Sequence, residues 1–520
     1  MNYVLSVHVI CISLHAHARE KDLVMNTQPN LIFLMPDQLR ADFLGCYGAD
    51  FLETPNIDRL SAEGHCYTQC YSEHPICVPA RTALLTGLHG FKTGVLDNGQ
   101  FLRPDYRDMG LQTWPEMLNA AGYFTAAIGK MHFYPWDARM GFQFRSIAED
   151  KRWIHIRDDY YHHLREHGHR KYHGNEHPGY FEDKGAVINL LPWEHTIDRF
   201  VGREACHFID RYGSDGPFAM MVGFPGPHCP YDPTPEFLDN LDPEAMPPAV
   251  SATAAGETLR QQNVDGNRRP WNGVDYGEFD PDQVRRVRTH YAGSVQQIDY
   301  EIGQILATLE RRGLLDNTVI IFSADHGDYL GDHGMIGKGT FFESSIHVPM
   351  IVRIPGKAGE TVHDDLVTLT DVTSTLLALG GCDVPAYMDS RPLPGLGLTE
   401  KRLQHAGRQQ IVGATQGGWW VDDGQWRLCK YSTGDTFLFN RSEDPDEQDN
   451  RYGDPRCQSV RERLDTVLTQ TVMDYTVEAH FDHRVYISDL SQQPDFGREG
   501  WQRPFPRLID DVQARDQRIK

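Results

Sequence analysis

The run His74-Pro75-Ile76-Cys77-Val78-Pro79-Ala80-Arg81-Thr82-Ala83-Leu84-Leu85-Thr86-Gly87 places a cysteine at the start of a helix. Pro79 suits a first turn, Ala80 to Leu85 propagate it and Gly87 ends it. The amino end of such a helix carries unpaired N–H groups and partial positive charge, which favour an anionic ligand with a nucleophile beside it. Arg81, one turn on, points back to the same spot. On spacing alone, a lone cysteine is more often a packing residue.

Other polar groups follow apolar runs in a repeated pattern. Asn30 to Met35 reads as a strand buried on both faces of a parallel sheet, and it ends at Pro36-Asp37-Gln38. Tyr123 to Ile128 ends at Gly129-Lys130-Met131-His132. Phe218 to Phe224 leads into Pro225-Gly226-Pro227-His228-Cys229-Pro230, where the prolines stiffen the loop that carries His228. Thr318 to Ser323 delivers Asp325-His326-Gly327. In open α/β sheets functional groups sit beyond the carboxyl ends of the strands, so all these residues are expected at one edge. Asp37 and Asp325 offer two carboxylates to a hard divalent cation, with an amide oxygen from Gln38 and an imidazole from His326.

The elements that must position these residues alternate. Thr54 to Gly64 and Thr113 to Gly122 have the cap and stop of short helices, and Trp193 to Tyr212 regains helical spacing. Asp280 to Arg312 is the longest helix, with apolar residues at steps of three and four. Val348 to Ile354 is read as a further strand and Asp371 to Leu379 as a helix against it. The expected fold class is therefore α/β: a doubly wound, mainly parallel sheet flanked by helices. After about Pro385 the pattern changes. Ile411 to Phe439 has short strands and glycine turns, followed by a helix over Val460 to Met473, which suggests a smaller α+β subdomain with an antiparallel sheet. The expected division is an N-terminal extension at 1–28, a main domain at 29–385 and a C-terminal subdomain and tail at 386–520.

The run C-x-P-x-R followed by Leu-Leu-Thr-Gly resembles the signature of the formylglycine-dependent sulfatases, in the alkaline-phosphatase-like superfamily. The resemblance spans roughly Leu31 to Pro355, with a further likeness from Leu438 to Asn450 around a "DPxExxN" turn. It implies that Cys77 is oxidised after translation to formylglycine by a maturase, and that the hydrated aldehyde is the nucleophile. Carried over by position, Asp37, Gln38, Asp325 and His326 would bind the metal together with the modified Cys77. Arg81 would hold the hydrate, Lys130 and Lys338 the sulfate oxygens, and His132 and His228 would transfer protons. Gln38 and His326 replace an aspartate and an asparagine found in many members, so Ca2+ is the expected ion and Mn2+ the alternative, imidazole being the softer donor.

The implied activity is hydrolysis of an organic sulfate ester, with a sulfated carbohydrate preferred. Alternatives are a phosphonate or phosphate monoester hydrolase on the same fold and an inactive protein that binds sulfated glycans. Trp136, Trp153, Trp193, Trp419 and Trp420 are candidates for stacking on sugar rings, against the commoner role of core residues.

Fifty basic against 73 acidic residues give a net charge of -23, which opposes binding to nucleic acid or an anionic membrane surface. An anionic substrate must therefore be drawn in by a local positive site. The ten cysteines form no C-x-x-C pair, and reduced thiols are expected. Val4 to Leu14 with Ala16-His17-Ala18 is a weak signal-like segment without a preceding basic residue, and Met25 is an alternative start. A cytoplasmic location is favoured, with a periplasmic or secreted one if the segment acts. The histidine-crowded stretch Tyr160 to His177 is read as a solvated insertion or substrate-facing loop in preference to a second metal site. Residues 232–280 are read as a surface excursion. Assembly into a homo-oligomer stays open.

Overall fold

The computed structural model describes residues 28–213, 216–356, 359–398 and 408–478. The signal-like segment and the tail beyond residue 478 lie outside the described residues. Eight strands form the main sheet: β1 (Asn30–Asp37), β2 (Gly64–Tyr71), β3 (Phe124–Gly129), β4 (Phe144–Ile147), β5 (Phe218–Pro227), β6 (Thr318–Ser323), β7 (Met350–Arg353) and β8 (Thr361–Thr368). Their spatial order is β4-β3-β5-β1-β6-β7-β2-β8. The run from β4 to β6 is parallel, β7 is antiparallel to both β6 and β2, and β2 is parallel to β8.

β1, β5 and β6 are buried along their whole length, as continuous apolar strands in the middle of a covered sheet should be. The helix Pro281–Arg311 lies against this layer and opens with Pro281 and a reciprocal cap between Asp280 and Gln283. Its Asp299 reaches the start of the helix Pro55–Ala62 and accepts from the backbone N–H groups of Asn56 and Ile57 at 3.0 and 2.8 Å. A carboxylate from one helix thus answers the unpaired donors of another.

The second sheet is antiparallel, with order β12-β11-β10-β9, formed by β9 (Ile411–Thr415), β10 (Gly418–Asp422), β11 (Trp426–Tyr431) and β12 (Thr436–Asn440). The helix Gln458–Glu478 covers it, seating Leu464 and Leu468 on Val421, Leu428 and Leu438. Arg427, fully buried on β11, pairs with Asp422 at 2.9 Å and with Glu343 and Glu447 at 2.7 Å each, joining this sheet to the short helix Glu343–Ile346 that precedes β7. In the same turn, Asn450 accepts from the Leu438 backbone at 3.0 Å and donates to the Thr436 carbonyl at 2.9 Å.

Several elements depart from the sequence expectations. β2, β4 and β8 were not foreseen. The surface excursion contains a helix, Glu257–Asn267, and the histidine-rich stretch contains another, Asp159–Glu166.

Candidate active site

The helix over Cys77–Thr86 starts at the cysteine itself, with Ile76 extended before it and Gly87 left-handed after it. Every residue of this helix is buried. Asp37 ends β1 and is in register with Pro227 at the end of β5, which brings the His228 loop beside it. Lys130 follows β3, where two glycines permit close approach. A Cβ on Gly129 would sit 2.1 Å from the Gly223 carbonyl, and one on Gly223 would sit 2.1 Å from the Lys130 carbonyl. Gln38 and His132 have left-handed backbones with φ of 69° and 58°, a conformation non-glycine residues adopt mainly where surrounding structure demands it.

One donor atom from each of Asp37, Cys77, Asp325 and His326 lies within 4.8 Å of the others, and all four residues are buried. The Cys77 sulfur is 3.2 Å from Nε2 of His326 and 3.9 Å from Oδ1 of Asp37. The other nitrogen of His326 faces the Gly327 carbonyl at 3.0 Å, which assigns it the proton and leaves Nε2 as a donor of electrons toward the cluster. Arg81 braces the two carboxylates, donating from Nε to Asp325 at 2.9 Å and from Nη2 to Asp37 at 3.1 Å, while Nη1 meets the Lys130 carbonyl at 2.6 Å. Lys130 Nζ lies 2.7 Å from Asp37 and 3.6 Å from Asp150.

On the other side, Lys338 Nζ donates to the Gln38 amide oxygen at 2.6 Å and contacts Nε2 of His228 at 2.9 Å. Gln38 therefore reaches the site, but its oxygen faces Lys338, and its amide nitrogen is held by Asp328, which also accepts from Tyr231 at 2.7 Å. His132 receives its place from Glu149, which accepts from the His132 backbone N–H at 2.7 Å, and its ring packs edge-on against Trp153 at 5.0 Å. Its Nδ1 is buried and has no hydrogen-bond partner among the described residues.

The electrostatics follow from this packing. Burial and Cys77 would raise the Asp37 carboxyl, yet Lys130, His228 and Arg81 hold it well below the usual range. Asp325, sharing the cavity with Asp37, is pushed upward by burial and by that neighbour despite Arg81. Burial opposes ionisation of Cys77, but Lys338, His326 and Lys130, with hydrogen bonding from His132, bring the thiol far below its ordinary value. Burial, Lys338 and Arg152 lower His228 to about 3.

All ten site residues expected from sequence come together: Asp37, Gln38, Cys77, Arg81, Lys130, His132, His228, Asp325, His326 and Lys338. Sequence reasoning missed Asp150, Arg152, Asp328, Tyr231 and Ser72. Arg152 pairs with Asp150 at 2.9 Å and lies over the exposed Trp271 ring at 5.3 Å, while the Ser72 hydroxyl donates to the Asp325 carbonyl at 2.5 Å. Asp328 was findable, three residues past Asp325 on the same strand end. Among the tryptophans, Trp420 is fully buried in the second core, and Trp193 packs on Phe237 and Tyr300. Of the five tryptophans put forward from the sequence, Trp153 packs against a site residue, His132.

Comparison with known proteins agrees with this geometry. A family model described as Sulfatase matches residues 29–382, and one described as N-sulphoglucosamine sulphohydrolase, C-terminal, matches residues 331–474. An arylsulfatase of Clostridium perfringens is 30% identical over 393 residues, covering 71% of this chain and 78% of that protein. A choline-sulfatase of Rhizobium meliloti is 30% identical over 448 residues, covering 82% and 83%. Among solved structures, a phosphonate monoester hydrolase of Agrobacterium radiobacter superposes with a TM-score of 0.72 at 22% identity, covering 86% of this chain and 96% of that one. At that identity it speaks for the shared alkaline-phosphatase-like fold. The chain belongs to the sulfatase family and is a sulfuric ester hydrolase.

Proposed function

We propose that the protein releases inorganic sulfate from a sulfated carbohydrate, using formylglycine made from Cys77 and one divalent cation. The observation that carries this reading is the Cys77 sulfur at 3.2 Å from His326, inside a buried ring with Asp37 and Asp325 and against Lys130, Arg81 and Lys338. In the matured residue the hydrate oxygens would stand in place of this sulfur. The residues present fit both groups: two carboxylates and a tautomer-fixed imidazole converge as ligands, and the orphaned His132 nitrogen is a polar group awaiting a partner.

Asp37, Asp325 and His326 would hold the cation with residue 77, and Gln38 borders them. Formylglycine supplies a hydrated carbonyl as nucleophile and the cation supplies Lewis-acid polarisation. Lys130 and Lys338 neutralise the sulfate oxygens as charge moves onto them. Arg81 fixes the spacing of Asp37 and Asp325. His132 accepts a proton from residue 77, and His228, backed by Lys338, passes one to the departing alcohol. The imidazole beside two carboxylates leaves Ca2+ as the preferred ion and Mn2+ as the competitor.

The carbohydrate preference is supported by aromatic faces near the site: Trp153 beside His132, and Trp271 with the Arg152 cation over its ring. Relatives add weight. A similar protein of Bacteroides thetaiotaomicron, 26% identical over 421 residues, is an N-acetylglucosamine-6-O-sulfatase, and a fold neighbour was solved with its substrate D-glucosamine-2-N,6-O-disulfate. The test is sulfate release from sulfated mono- and oligosaccharides, compared with aryl sulfate and a phenyl phosphonate ester. Fastest turnover of the phosphonate would overturn the assignment. Mass spectrometry of the Cys77 peptide from the native host must find the aldehyde.

A further inference from the structure

The histidine-rich insertion does not behave as a plain solvated loop. The helix Asp159–Glu166 carries His163, and His167 caps its carboxyl end one turn later, so the two share a face. His195 closes the short turn Trp193–His195 and comes against them. Nε2 of His163 lies 3.2 Å from Nδ1 of His195, and one nitrogen from each of His163, His167 and His195 lies within 4.8 Å of the other two. Two nitrogens bound tetrahedrally at 2.0–2.1 Å from a zinc ion stand about 3.4 Å apart, so small inward shifts complete the triad. The His169 ring is 4.6 Å from that of His195.

Three further features suit a cation. The Nδ1 of His167 faces the His163 carbonyl at 2.8 Å, which fixes a proton there and leaves Nε2 as the donor, the outer support that metal-binding histidines use. The helix carboxyl end adds partial negative charge. Burial, Arg203 and the other histidines hold His163 down at about 4, and His195 is lowered by burial and His169, so these two favour the neutral, ligating form. One feature opposes: Nη2 of Arg203 lies 3.1 Å from both ring nitrogens of His163, and a metal must displace it.

We propose that His163, His167 and His195 form a second metal site, for a late first-row divalent ion such as Zn2+, with His169 as a further imidazole beside His195. All-imidazole donors select such ions over Ca2+. The site clamps the insertion. Asp158 caps the helix and accepts from the Glu149 backbone at 3.2 Å, and Glu149 in turn holds His132. The three histidines share no residue with the Cys77 cluster.

The test is Zn2+ titration of the full-length protein in excess Ca2+, which keeps the Cys77 cluster filled, followed by Co2+ substitution. The wild type should bind one Zn2+ that His167→Gln, altered at an exposed position, binds at least ~10-fold more weakly and that a His163→Gln/His195→Gln double variant does not bind. Co2+ should give visible d–d bands without thiolate charge transfer. Arg203→Gln should bind more tightly than wild type. Hydrogen exchange over residues 159–195 should slow with Zn2+ in the wild type alone. Equal affinity in wild type, His167→Gln and the double variant would overturn the site, as would Zn2+ binding abolished by Asp325→Asn and untouched by the histidine changes.

Discussion

The ammonium of Lys338 lies 2.9 Å from Nε2 of His228, a cation pressed against an imidazole. Burial, that cation and Arg152 hold His228 down to about 3, so it rests neutral and a proton moving to the leaving group passes between the two. Lys338→Met should raise the His228 value toward the ordinary range and lower kcat by ~10²–10³-fold on alkyl sulfates. On nitrophenyl sulfate, whose leaving group needs no proton, the loss should be far smaller. Equal losses on both would contradict the role of the pair.

Cys77→Ala should abolish turnover while leaving the fold intact, since the thiol is a packing element of small volume. Cys77→Ser has one hydroxyl where the matured residue has two. It should take up a sulfuryl group once and keep it, which intact-protein mass spectrometry detects; repeated turnover by either variant would refute the nucleophile.

Chelation should lower both activity and melting temperature, because Asp37 and Asp325 then share a buried cavity without their cation. Restored ion at 100 times its Kd returns about 2.7 kcal/mol of stability by mass action. Calorimetry with Ca2+ and with Mn2+ identifies the tighter ion, and Asp325→Asn should erase the response to either.

Burial raises Glu73 to about 7 from 4.5, with Arg408 opposing and Asp371 adding to the rise. A carboxyl lifted in this way binds its proton better folded than unfolded. Its contribution is complete below pH 4.5 and is lost as pH climbs through 7. Glu73→Gln, which keeps an acceptor for Thr370, should therefore gain on wild type with rising pH, by up to ~3 kcal/mol between pH 4.5 and 8. Urea melts across that range measure it, and a difference independent of pH would rule out the buried titration.

Arg427→Met should destabilise by ~3–5 kcal/mol, since it leaves Asp422, Glu343 and Glu447 without their shared cation. Removing Glu343 as well should recover part of the loss in a double-mutant cycle.

Much of the site could be read because its residues directly follow strands buried on both faces, and such strands announce themselves as unbroken apolar runs. Asp37, Lys130, His228 and Asp325 all profit from this. β2 reads GHCYTQCY and β8 reads TVHDDLVT, both mixing polar with apolar residues, and β4 has four residues at a sheet edge. None of these carries that signal. Asp150 and Arg152 sit in an aperiodic stretch, so only tertiary placement reveals them. Trp420 was an equal candidate with Trp153 because composition cannot tell a core indole from a rim one.

The turn leading into Cys77 leans on the second sheet. The carbonyl of Glu73 accepts from the Ala414 backbone at 2.9 Å, and His74 contacts the Ala414 carbonyl at 2.7 Å while accepting from the Gly90 backbone at 2.8 Å. β9, some 340 residues downstream, is thus the rear wall of the nucleophile's cradle. A chain cut after β8 would keep every reacting side chain named above yet lose the buttress behind residue 77.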